Sequence, residues 1–150
     1  PEDIEFHPIV FYDPMVITEK GHPLVKRAKE HGGIITPRDI CRFPLILPPR
    51  HLSTWRQVEY VFAQENLDYT VKLEVGGWEV IKRYVELGLG ISIVMSVCIT
   101  GKENLEVIPV KDYFQRRRYG VVLREGKRLS PSAKAFIELM DPKASSWWKA

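Results

Sequence analysis

The sequence predicts an α/β fold, a parallel sheet with covering helices. Short apolar runs, Leu45-Ile46-Leu47 and Gly90 to Met95, have the length of buried strands. Between them lie two segments with apolar residues at i, i+3 and i+4, the pattern of an amphipathic helix. The alternating stretch "YTVKLEV" separates those segments. Strand, helix, strand, helix and strand therefore follow one another through short joins, the order of a parallel sheet packed by helices.

Ile9-Val10-Phe11-Tyr12 and Met15-Val16-Ile17-Thr18 are strands of β-favouring residues, interrupted by Asp13-Pro14. Gly21-His22-Pro23-Leu24 is a turn, and "VKRAKEHGG" reads as one or two polar helical turns ended by Gly32-Gly33. Thr36 before Pro37 supplies the hydroxyl and the proline of a helix start, and that helix ends before Pro44. Leu45 to Leu47 is a strand stopped by Pro48-Pro49. In "HLSTWRQVEYVFAQENLD", Thr54 and Gln57 have capping-box spacing, and Val58, Val61 and Phe62 share an apolar face. Gly76-Gly77 ends the next strand. Val80, Ile81, Tyr84, Val85 and Leu87 form the face of the following helix, which Gly88 stops. Beyond Gly101, "LEVIPV" and "RRYGVVLRE" are strands. Ser130-Pro131 opens a helix whose Ala135, Phe136 and Leu139 face inward. "DPKASSWWKA" closes the chain, and its Trp147 and Trp148 either trail or pack.

The 150 residues give room for one ordinary domain or two small lobes. With 45% hydrophobic and 27% charged residues the composition suits a soluble chain that builds a core. No apolar run approaches the ~20 residues that span a bilayer. No charged-then-apolar leader opens the sequence, so no anchor or signal is expected. Two cysteines, Cys41 and Cys98, are too few for a disulfide framework and read as buried free thiols in a reducing cytoplasm. The four histidines lack ligand spacing, so no metal site and no cofactor is expected. The formal charge of +3 permits anionic ligands without demanding nucleic acid.

The Gly88-Leu89-Gly90 stretch is half of a nucleotide fingerprint, but the order is wrong. A dinucleotide loop needs its glycines after a strand and before a helix. Here they follow a helix, where the dipole repels phosphate, so Gly88 reads as a cap. The anion-friendly ends lie elsewhere. "HLST" and "VGGW" each follow a strand and open a helix, where open α/β sheets bind ligands. Ser53 and Thr54 offer hydroxyls, Gly76 and Gly77 let backbone N–H groups approach a ligand, and Trp78 walls the site. Residue types alone equally allow caps and a plain turn. Arg116-Arg117-Arg118 reads as a solvated sheet edge, with Arg117 opposite its neighbours. Glu59, Glu65, Glu79 and Glu86 read as solvated helix surface. No nucleophile–base–acid set is present, so no enzyme is expected.

"GHPL" followed by "ITPRDICRFPLIL", then "VIKRYVELGLGISIVMS", then "GVVLREGKRLSPSAKAFIELM" resembles the effector-binding (substrate-binding) domain of LysR-type transcriptional regulators. The "EVIKRYVELGLGI" wording is most similar to the branch controlling sulfur assimilation and cysteine synthesis, whose members sense small anions or acylated serine. The resemblance implies a type II periplasmic-binding-protein-like fold: two Rossmann-like lobes, two crossover strands and a small molecule in the cleft. The crossovers fall near Ile34 and near Met95 to Val97. Residues 1–33 are then part of lobe I, 34–96 lobe II, and 97–150 the return to lobe I and the C-terminal tail. In the sulfur branch a hydroxyl residue opens the helix after the "PLI" strand, which matches Ser53. A second hydroxyl precedes the "VIK" helix, where this chain has Gly76.

The winged helix-turn-helix of such regulators, and the opening of the first lobe, have no counterpart in the sequence. The chain therefore reads as a fragment with an incomplete first lobe. It would touch DNA only through an absent N-terminal domain, and its exposed apolar surface favours association as a homodimer or tetramer. No membrane partner is implied. A type II periplasmic solute-binding protein shares the fold and is the rival reading; a catalytic remnant is the third.

Overall fold

The computed structural model describes residues 3–126 and 128–148. Its contacts divide it into a larger unit, Tyr12–Arg117, and a smaller one built from residues up to Phe11 and from Arg118 on. The larger unit is wider than the 34–96 segment, because that segment's last strand is paired outside it.

Strand β2 (Pro14–Glu19) lies between β5 (Ser92–Met95) and β6 (Leu105–Pro109) and is antiparallel to both. Strands β3 (Leu45–Leu47) and β4 (Val71–Glu74) pair in parallel. A parallel bridge from Leu45 to Ile91, with Ile46 N–H donating to the Ile91 carbonyl at 2.8 Å, joins β3 to the start of β5. The strands thus run in the order β4-β3-β5-β2-β6. The strands of the strand–helix–strand–helix–strand run pair in parallel, as that order predicts, and β2 makes the sheet mixed by pairing antiparallel. A run buried on both faces is equally apolar in either direction, so the β2 pattern carries no orientation.

Period-two alternation sorts the core into two faces. Val16, Leu45, Leu47 and Ile93 join one cluster with Trp55, Val58 and Phe62. Ile17, Ile46 and Val94 join the other with Ile81 and Val85. Helix α3 (Ser53–Gln64) therefore covers one face and α4 (Trp78–Glu86) the other. Burying each of these large side chains stabilises the fold by roughly 1.5–3 kcal/mol.

Helix α2 (Pro37–Ile40) starts as its sequence predicts, whereas α1 (Pro23–Glu30) starts two residues early, inside the expected Gly21–Leu24 turn, because His22 Nδ1 accepts from Leu24 N–H and caps it. Thr36 and Asp39 form a reciprocal capping box. Burial pushes the Asp39 carboxyl up, but the hydrogen bonds from Thr36 and Arg27 outweigh it and hold the group below its ordinary value. Helix α3 departs from expectation. Its N-cap is Leu52, with no side-chain cap, and Thr54 lies inside the first turn rather than capping it. Helix α4 ends as expected at Gly88, whose φ is +72°. Gly88 N–H donates to the Val85 carbonyl and Leu89 N–H to the Tyr84 carbonyl, a Schellman end.

In the smaller unit, β1 (Ile4–Tyr12) pairs with β7 (Arg117–Arg124). Helix α5 (Pro131–Met140) is capped by Ser130 Oγ, which accepts from Ala133 N–H at 3.2 Å. Its inward residue is Ile137; Ala135 is exposed, and Phe136 and Leu139 are 63% and 84% exposed. The expected inward face is therefore wrong: the helix packs on the short segment Pro142–Trp147 that follows it, which covers only one side. Trp147 packs, stacked on His7 at 4.2 Å between ring centroids. Among the described residues no helix is long and apolar enough to cross a membrane.

Candidate functional site

Two helices begin at the carboxyl ends of adjacent parallel strands. Helix α3 starts six residues after β3, and α4 starts four residues after β4, with Leu47 opposite Glu74 across the pair. Both N-termini, with their unsatisfied N–H groups, leave the same edge of the sheet.

At the start of α3, Ser53 and Thr54 do not cap the backbone. They accept instead from one guanidinium. Arg117 donates through Nη1 to Ser53 Oγ and through Nη2 to Thr54 Oγ1, the latter at 3.2 Å. Thr54 is only 4% exposed, so this anchor reaches into the protein. The neighbouring Arg116 is tied by Nε to Asp13 Oδ1 at 2.6 Å, and Asp13 N–H donates to Ser96 Oγ at 3.1 Å. The arginine run is therefore not simply a solvated edge. Alternation does not separate Arg117 from Arg116, which precedes the strand and lies beside the same groove; the strand's first residue, Arg117, reaches the predicted hydroxyls.

An open groove of about 510 Å³ lies beside this contact. Ser53, Arg56 and Tyr60 of α3 form one wall, and Tyr113, Arg116 and Arg117 the other. None of its lining residues is acidic. Gln57 Nε2 donates to the Gln115 carbonyl at 3.0 Å, joining two of its lining residues.

Gly76 and Gly77 are exposed at the start of α4, with Gly77 as N-cap at φ +87°. Trp78 is half-buried against the α4-side core. None of the three lines the groove. The structure thus brings Ser53 and Thr54 together with Arg117 and leaves Gly76, Gly77 and Trp78 at the neighbouring helix start. Arg117 is the residue that sequence reading missed. Its one signal is an arginine at the first position of a strand, which spacing cannot connect to a hydroxyl more than sixty residues earlier.

A second polar cluster is structural. Lys82, 3% exposed, points Nζ at Glu79 Oε1 and Glu103 Oε1, both at 2.7 Å, and donates to the Cys98 carbonyl at 2.8 Å. Burial pulls the lysine down, but the two carboxylates more than offset it and raise it above its ordinary value. The Lys82 hydrogen bond, then the Thr100 N–H, hold the Glu103 carboxyl well below the usual carboxylate range. The cluster ties α4 to the loop after β5. Glu79 and Glu86 are accordingly more than solvated surface: Glu86 pairs with Arg83 at 2.8 Å and accepts from Asn104 N–H at 3.1 Å. Burial pushes the Cys98 thiol up, away from nucleophilic use.

Residues 1–144 match the family described as the LysR substrate binding domain. The HTH-type transcriptional regulator CysB of Burkholderia cenocepacia is 30% identical over 123 residues, covering 81% of this chain and 38% of that protein. The HTH-type transcriptional activator CmpR of Synechocystis sp. is 30% identical over 129 residues, covering 84% and 41%. The chain thus spans about two-fifths of the length of these curated relatives. The Synechocystis CcmR regulatory domain, solved in complex with 2-PG, superposes with a TM-score of 0.80 at 24% identity, covering 95% of this chain and 69% of that one. The fold is the type II periplasmic-binding-protein-like one.

Proposed function

The chain belongs to the family of LysR substrate-binding domains, and from that premise we propose that it senses a small anionic or amino-acid-derived metabolite for a LysR-type transcriptional regulator. The observation that carries the reading is the Arg117 guanidinium held on Ser53 and Thr54 at the start of α3. It presents a cation and helix N–H groups together at the carboxyl edge of a parallel sheet, where anions bind in such folds. Gly76, Gly77 and Trp78 offer a second helix start from the neighbouring strand. The CcmR domain's complex with 2-PG supports a small-molecule ligand for a chain of this fold.

The protein binds and does not catalyse, and it needs no cofactor. Ligand favours one arrangement of the two lobes, and a dimer or tetramer passes that bias to DNA-reading domains outside this chain. The whole regulator works in the cytoplasm. Its effector belongs to sulfur metabolism, a reading supported by the likeness to CysB.

The test is a thermal-shift screen of sulfate, thiosulfate and O-acetylserine, followed by calorimetry on the hit. A ligand at a hundred times its Kd should add about 2.7 kcal/mol of stability. Ser53→Ala should weaken binding by about tenfold, the worth of one hydrogen bond to a charged group. No shift with any compound, or unchanged affinity in Ser53→Ala, contradicts the proposal.

A further inference from the structure

The groove beside α3 carries a charge imbalance. Three guanidiniums line it, from Arg56, Arg116 and Arg117, and no carboxylate does. Arg116 is paired with Asp13. Arg117 has only hydroxyl partners on its guanidinium, and Arg56 has no side-chain partner among the described residues. Two positive charges therefore face the groove uncompensated. Arg117 is held from behind: Ser53 Oγ and Thr54 Oγ1 accept from its two terminal nitrogens, and Thr54 is buried. A guanidinium has five donors in a rigid fork, so those not used by the hydroxyls remain for a ligand. At about 510 Å³ the groove suits a small molecule rather than a polymer. Tyr60, Tyr113 and Gln57 add neutral hydrogen-bonding groups along its walls.

We infer that the ligand of this site is a small dianion, and that Arg56 together with Arg117 sets its preference for two negative charges over one. The inference rests on the ligand-sensing reading and narrows it. A dicarboxylate and a phosphate both satisfy the chemistry, by bidentate charge-assisted hydrogen bonds to one or both guanidiniums. Arg117 acts as the fixed cation and Arg56, on the exposed first turns of α3, as the adjustable one.

The experiment is calorimetry on the full chain at pH 8 and constant ionic strength, with succinate, inorganic phosphate and the monoanion butyrate. Succinate or phosphate should bind at least about tenfold tighter than butyrate, the advantage of a second charge-assisted contact. Whichever of the two binds tighter identifies the acid group. Arg56→Gln should cut that preference to about threefold or less, by weakening succinate and phosphate more than butyrate; the residue is exposed, so the fold is not at stake. Arg117→Met should abolish binding of both classes. Butyrate binding as tightly as succinate and phosphate overturns the inference, as does a preference that survives Arg56→Gln. Binding of O-acetylserine without either dianion overturns the inference and leaves the sensing reading standing. Binding of none of these acids, and of neither sulfate nor thiosulfate, removes both.

Discussion

Arg117 gives the hydroxyls at the start of α3 their meaning. Ser53 and Thr54 are residue types that equally suit a cap, and only the guanidinium that they accept from tells which role they play. Hydroxyl types and helix starts are local and legible in the sequence; an arginine brought in from the start of β7 is not. Lys82 shows the same limit, because helical spacing pairs it with Glu79 but gives no hint of Glu103. This buried cluster makes a pH prediction. Glu103 is depressed, so its contribution is full above its ordinary value of 4.5 and is lost as pH falls below that. Lys82 is raised, so its contribution is full below 10.5 and is lost as pH rises through the still higher folded value. Glu103→Gln should cost roughly 2–3 kcal/mol at neutral pH, since it strips one partner from a buried ammonium. Urea unfolding at several pH values should show that cost shrinking toward pH 3; a cost constant with pH contradicts the pairing.

The elements were largely readable, because their ends are set by local chemistry. Thr36-Pro37, Ser130-Pro131 and Gly88 mark boundaries that the structure keeps. What local chemistry did not give was tertiary. The inward face of α5 was misread, and no local signal sets β2 antiparallel beside β5, because both depend on neighbours that are distant in sequence. The two glycines of the Gly88-Leu89-Gly90 stretch serve different purposes, and neither holds a phosphate. Gly88 supplies a left-handed backbone for the end of α4. Gly90 lets β5 approach β3, where an added Cβ would lie 2.6 Å from the Pro44 carbonyl oxygen. Gly88→Ala should cost about 1–2 kcal/mol through the strained cap. Gly90→Ala should cost about 1–3 kcal/mol, because backbone rather than a flexible side chain must yield. Chemical denaturation checks both, and a neutral Gly90→Ala would contradict the tight β3–β5 join.

For the whole molecule, the family and the α/β fold follow from a motif order spread along the chain and are borne out by the match over residues 1–144. The extent of the larger unit, Tyr12–Arg117, was not legible, because β2 and β6 enter its sheet from outside the strand–helix alternation. Its most exposed consequence is the placement of ligand at the α3 edge, with Arg117 as the last residue of that unit. Amide chemical-shift mapping tests this directly, by titrating the ¹⁵N-labelled chain with the small acid that binds best. The account predicts that the largest shifts fall on Ser53, Thr54, Arg56 and Arg117, with smaller ones at the neighbouring helix start, Gly76 and Gly77. Saturable shifts centred elsewhere, or none at millimolar acid, would contradict it.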